Sequence, residues 1–150
     1  MGYTDWGTNA VVVLVTLALV LGSVVGHYEG LSAVSLRLSA RTAARRRRVL
    51  VAVLAAIGLH IAEIWLFGVG IWVLLQCVPE AGEVVGLGQA RLLDSVYLSA
   101  VTYTTVGFGD LTPTGPLRFL IGTEALVGFV LITWSASFTY LEMERNWKLR

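Results

Sequence analysis

Residues Thr104 to Asp110 read TTVGFGD and set two glycines around one aromatic residue directly before a carboxylate. Gly107 and Gly109 allow backbone angles that a side chain penalises. Alternate peptides can therefore turn their carbonyl oxygens toward one axis, and a dehydrated monovalent cation needs several oxygens held in that way. The carbonyls of Thr105, Val106, Gly107 and Phe108 are the candidates. Thr105 can add its hydroxyl to the lowest ring, while Val106 and Phe108 wedge the strand from behind. Elsewhere one side-chain pair hints at chemistry, His60 with Glu63, one helical turn apart on a shared face. It lacks a third ligand or a nucleophile. No nucleotide, calcium or metal motif accompanies it, so an enzyme is not expected.

The elements that must position TTVGFGD follow from composition. Over 150 residues, 56% are hydrophobic and 14% charged, with mean hydropathy +0.75. One soluble core of that size cannot hide so much apolar surface, and lipid is the expected solvent. Three runs suit a bilayer, which asks for roughly 20 apolar residues per helix: Ala10 to Gly26, an outer helix over 49–76 and an inner helix over 117–141. The first is read as a retained anchor, because MGYTDW carries an acid and no base and no A-x-A cleavage site follows. Arg37, Arg41, Arg45, Arg46, Arg47 and Arg48 all fall between the first two runs. Basic residues concentrate on the cytoplasmic side, so the N-terminus is expected outside and the C-terminus in the cytoplasm of a multi-pass cell-membrane protein.

Four consecutive arginines ahead of an apolar stretch are not the every-third-residue ladder of a voltage sensor. They read either as a topology signal on a solvated loop or as a surface for anionic lipid headgroups. No nucleic-acid partner is expected. After the second run, CVPEAGEVVGLGQAR has the composition of an exposed loop. Its Cys77 is either a free thiol or an intersubunit link.

Before the glycines, LLDSVYLSAVTY predicts a short helix, with Asp94 as N-cap and Ser95 to Tyr103 as its body. Such a helix is too short to cross. Non-helical backbone at membrane depth survives only where protein buries it or where it lines a watery path, so helix plus Gly-x-Gly implies a pore. The negative end of the helix dipole then faces the cavity. The expected plan is an all-α membrane protein with three transmembrane helices and a re-entrant pore helix and filter loop between the second and third. An N-terminal helix and basic loop occupy 1–48. A pore domain occupies 49–150, with the pore helix at 94–104 and the filter at 105–110.

TTVGFGD resembles the selectivity filter of the potassium channel pore family, of the bacterial ion-channel type, at six positions from Thr105 to Asp110. The likeness extends over residues 94–140, with HYEGL after the first helix as a further short point of similarity. The family pattern often has Tyr where Phe108 stands, and a phenylalanine lacks the hydroxyl that can brace the filter. A third, N-terminal helix also departs from the minimal two-helix pore. The resemblance implies a homotetrameric pore, each chain joined by three identical subunits. It implies K+ ions at Thr105, Val106, Gly107 and Phe108, and no organic cofactor. It aligns Gly128 with the glycine at which inner helices bend; close packing without a bend is the other reading. Phe129, Ile132, Ala136 and Tyr140 fall on one helical stripe and, with Thr104, are expected to line the cavity and inner gate unless the stripe faces lipid.

The function implied is passive, potassium-selective conduction without a voltage sensor; the alternative is a non-conducting or auxiliary pore-like subunit. His60, Glu63 and Glu124 are the ionisable residues furthest inside the apolar runs. Glu124 is phased away from the cavity stripe, on the side of Gly128 and Ser135. The three are read either as a structural hydrogen-bond cluster or as a coupling between outer helix and pore helix that makes opening pH-sensitive.

Overall fold

The computed structural model describes residues 6–39, 45–86 and 91–147. Four helices carry the fold: α1 (Trp6–Ser39), α2 (Arg45–Cys77), α3 (Leu92–Tyr103) and α4 (Leu117–Trp147). Three of them, α1, α2 and α4, are long and apolar enough to cross a membrane. The fourth is not: 12 residues of α3 rise about 18 Å at 1.5 Å per residue, against an apolar slab of about 30 Å.

α1 runs well past the apolar stretch that marks it in the sequence, which ends at Gly26. Its last third carries polar residues but no proline, and Leu31 and Leu38, two turns apart, are buried. The amphipathic period therefore outlasts the hydropathy, and His27 lies inside a membrane helix rather than in a loop. The arginine run likewise forms the first turn of α2 and not a solvated loop, because nothing in RRRRVLVAVL breaks a helix. Arg41 and the side chains of Arg45 and Arg46 lie outside the described residues.

α3 starts three residues earlier than Asp94 as N-cap predicts. Arg91, in extended backbone, takes the cap position without a side-chain bond, and Ser95 N–H donates to the Arg91 carbonyl at 3.1 Å. Asp94 sits in the first turn, where its carboxylate faces the positive end of the helix dipole. α3 packs between α2 and α4. Phe67, Ile71 and Leu74 of α2, Leu98 and Val101 of α3, and Leu117, Leu120 and Leu131 of α4 form one buried cluster, with Val12 of α1 at its edge.

Two short strands fasten the chain on either side of α3. β1 (Val84–Val85) pairs antiparallel with β2 (Thr112–Pro113), Val84 opposite Pro113 and Val85 opposite Thr112. Thr114 N–H donates to the Glu83 carbonyl at 2.8 Å and its hydroxyl lies 3.1 Å from the Glu83 amide. The segment after the glycines is thereby tied to the loop after α2, so residues 104–110 are held at both ends.

Candidate functional site

At the end of α3 the chain turns back on itself. Thr104 donates to the Ala100 carbonyl through its hydroxyl at 2.6 Å, Thr105 N–H to Thr102 at 2.8 Å, and Gly107 N–H to Val101 at 3.0 Å. Beyond this anchor φ is +59° at Thr105, +52° at Gly107 and +81° at Gly109, and it is not positive at Val106 or Phe108. Reversing the sense of φ at every second residue lets successive peptides present the same edge to one side. Thr105 is the one non-glycine with positive φ among the described residues, a conformation that costs about 1–2 kcal/mol.

Among the described residues of one chain nothing buries this strand. Residues 104 to 110 are all exposed, Val106 at 56% and Phe108 at 70%. Two apolar side chains left open in a row mark a surface that other atoms must cover. The far end is braced from α3 by the Tyr97 hydroxyl, which donates to Asp110 Oδ2 at 2.9 Å. The Asp110 carboxylate raises the Tyr97 phenol above its ordinary pKa by accepting this bond. That brace was not visible in the sequence, where the question of bracing fell on Phe108; a tyrosine 13 residues before the carboxylate was its only signal.

α4 supports the strand from below. Gly128 is buried, and a Cβ added there would lie 2.1 Å from the Tyr103 carbonyl oxygen. The backbone of α4 therefore touches the last turn of α3 directly. Leu120, Glu124, Val127, Leu131 and Ser135 continue the buried side, whereas Phe129, Ile132, Ala136 and Tyr140 lie on the open side of α4 in the single chain, and Thr104 is exposed at the base of the strand.

Around α3 the buried ionisable side chains fall into two groups. Glu124 is fully buried beside Ser99, whose hydroxyl is within reach of its Oε1 and also lies 2.8 Å from the Ile64 carbonyl; Glu124 Oε2 has no partner. His60 and Glu63 share a different group, and it includes the third ligand that the sequence lacked. His27 of α1 places Nδ1 2.7 Å from Glu63 Oε1 and Nε2 3.2 Å from Ser135 Oγ on α4. His60 Nδ1 lies 3.1 Å from Glu63 Oε2 and 3.0 Å from the Tyr103 hydroxyl. Tyr103 donates to the same Oε2. One carboxylate thus joins α1, α2 and α3, with α4 attached through Ser135.

A family model described as "Ion channel" matches residues 48–143, which takes in α2, α3, the turned strand and nearly all of α4. The chain belongs to this ion channel family. It is an all-α, multi-pass membrane protein of a channel type, and the family points to ion transport rather than to enzymatic chemistry. It is also similar to two curated relatives called Protein LctB. The one from Geobacillus stearothermophilus is 34% identical over 68 residues, 45% of this chain and 51% of the relative. That from Bacillus caldotenax is 50% identical over 40 residues, 27% and 30% of the two lengths. The chain thus spans about half or less of the curated relatives it matches, and their names state no activity. No solved structure matches. His27 stands outside the family match, and the histidine–glutamate group accordingly joins α1 to the region that the family model matches.

Proposed function

We propose that this ion channel is potassium-selective and that four copies surround one pore, each giving the strand 105–110. The supporting observation is the alternating φ of Thr105, Gly107 and Gly109 on an uncovered strand anchored at both ends. Rings of carbonyls built from such strands replace the hydration shell of K+, with oxygens of Thr105, Val106, Gly107 and Phe108 as ligands. α3 acts as a re-entrant pore helix with its negative end toward the cavity. Phe129, Ile132, Ala136 and Tyr140 line the cavity below. The arginines of the three long helices stand at their ends, at Arg37, Arg45 to Arg48, Arg118 and Arg145, so no ladder inside the membrane senses voltage.

Flux from protein reconstituted in liposomes tests this reading. In mixed salt the reversal potential is expected to follow the potassium gradient and to ignore sodium; a potential indifferent to potassium removes the selectivity claim. Assembly without any flux supports a non-conducting subunit instead. Native mass in detergent is expected to equal four chains, since one chain supplies one filter strand. A monomer that conducts contradicts that assembly.

The arginines set the orientation: N-terminus outside, their own end of α1 and α2 in the cytoplasm. Arg37, Arg47 and Arg48 flank a groove floored by Val34, Leu38, Val51 and Ala55, a combination suited to an anionic headgroup over an acyl chain. Cys77, exposed at the opposite end of α2, is then expected to react with a membrane-impermeant thiol reagent added outside intact cells. Labelling only after permeabilisation reverses the orientation.

A further inference from the structure

We propose that His27, His60 and Glu63 form a binding site for a zinc-like divalent transition cation, with the Tyr103 hydroxyl as a fourth oxygen. One ligand atom from each of the three residues lies within 4.8 Å of the others. Both imidazoles turn Nδ1 onto the same carboxylate, one on each oxygen, at 2.7 and 3.1 Å. Tetrahedral zinc at about 2.0–2.2 Å from N and O ligands holds neighbouring donors about 3.4 Å apart. Side-chain rotation that widens the closer pair by about 0.7 Å and the other by about 0.3 Å makes that space.

The donor set selects the ion class. Two imidazole nitrogens with carboxylate and phenol oxygens suit zinc and its first-row neighbours, whereas magnesium and calcium take all-oxygen shells. Binding through Nδ1 leaves Nε2 as the N–H of each ring. On His27 that nitrogen faces Ser135 Oγ at 3.2 Å, the outer partner that a metal-bound histidine ordinarily has to fix its tautomer and orientation. A proton carried at either Nδ1 moves to Nε2 of the same ring or leaves to solvent when the cation enters, so both histidines bind as neutral imidazoles and Glu63 bears the one compensating charge. His27 is fully buried and Glu63 nearly so, which keeps competing water out, while the His60 side chain, 18% exposed, gives the way in.

The site has a structural consequence independent of which ion the pore selects. The cation would join α1 to α2 and touch Tyr103, the residue before Thr104 and Thr105. An extra helix outside the matched pore region would thereby be fastened to the foot of the turned strand.

Equilibrium dialysis of the full chain, stripped with chelator in detergent and titrated with zinc chloride, is the test. One zinc per chain is expected, undisturbed by millimolar magnesium. His27→Ala and His60→Ala are each expected to weaken binding at least tenfold, and Ser135→Ala by about 10-fold, as loss of an outer partner does. Cobalt(II) added to the unaltered protein gives a reading that needs no variant: an intense visible spectrum of a four-coordinate ion with nitrogen and oxygen ligands is expected. Protein of normal assembly that takes up no stoichiometric zinc, or a six-coordinate cobalt spectrum, overturns the site. So does zinc uptake that survives the double histidine replacement. Since binding is read without ion flux, failure of the potassium reading leaves this result intact.

Discussion

Gly107→Ala is expected to abolish potassium flux while leaving assembly in place. The φ of +52° at Gly107 is left-handed, and among the described residues of its own chain, its two neighbours apart, no atom lies within 4 Å of an added Cβ, so within the chain the cost arises from backbone preference and not from collision. An alanine held there loses about 1–2 kcal/mol. In the proposed ring of four the cost is taken four times at one level of the pore, and the chain relieves it by returning φ to negative values. That rotation swings the adjoining peptide and takes its carbonyl out of the ring. Flux into liposomes, with native mass as the control for assembly, measures the outcome. Flux equal to that of the unaltered protein would show that carbonyls at this level do not carry the ion. An aggregated variant is separated from this case by the mass measurement.

Legibility in the sequence followed the range of the interaction. The turned strand is local: two glycines at fixed spacing specify its φ pattern, and the bilayer imposes the apolar lengths of the three spans, so both could be read from short windows. Thr105 escaped, because its positive φ is imposed by the neighbouring Thr102 and Val101 carbonyls rather than chosen by its own side chain. The ends of helices were misjudged where hydropathy fades before amphipathic packing does. This happened after Gly26, and it moved His27 from an expected loop into α1. The polar groups are long-range. His27 meets Glu63 across 36 positions, and Ser99 meets Glu124 across 25. Glu124 lies on the buried side of α4, but helical phase cannot select a partner on another helix. It therefore could not separate Glu124 from His60 and Glu63.

Gly128→Ala is expected to lower the thermal midpoint of the assembled protein sharply and to reduce flux with it. The new Cβ would stand 2.1 Å from the Tyr103 carbonyl oxygen and 2.8 Å from its carbonyl carbon. Neither is the flexible end of a side chain, so one helix must move. Overpacking a close contact of this sort costs about 1–3 kcal/mol and occasionally more, and in a symmetric assembly each chain bears it. The displaced element also matters. Tyr103 closes α3, and the bonds from Thr104, Thr105 and Gly107 back to its last turn set the start of the strand. Moving the carbonyl of Tyr103 therefore shifts the proposed lowest ligands, at Thr105, as well as the packing beneath them. A hinge at Gly128 makes a different forecast: alanine would stiffen α4 and alter the open fraction while the thermal midpoint stayed constant or rose, because alanine favours helix over glycine by about 1 kcal/mol. Thermal unfolding of the assembly followed by circular dichroism, alongside liposome flux, separates the two. A midpoint that does not fall would mean that α4 keeps its distance from Tyr103 in the assembled pore, and the hinge would then be the better account of this glycine.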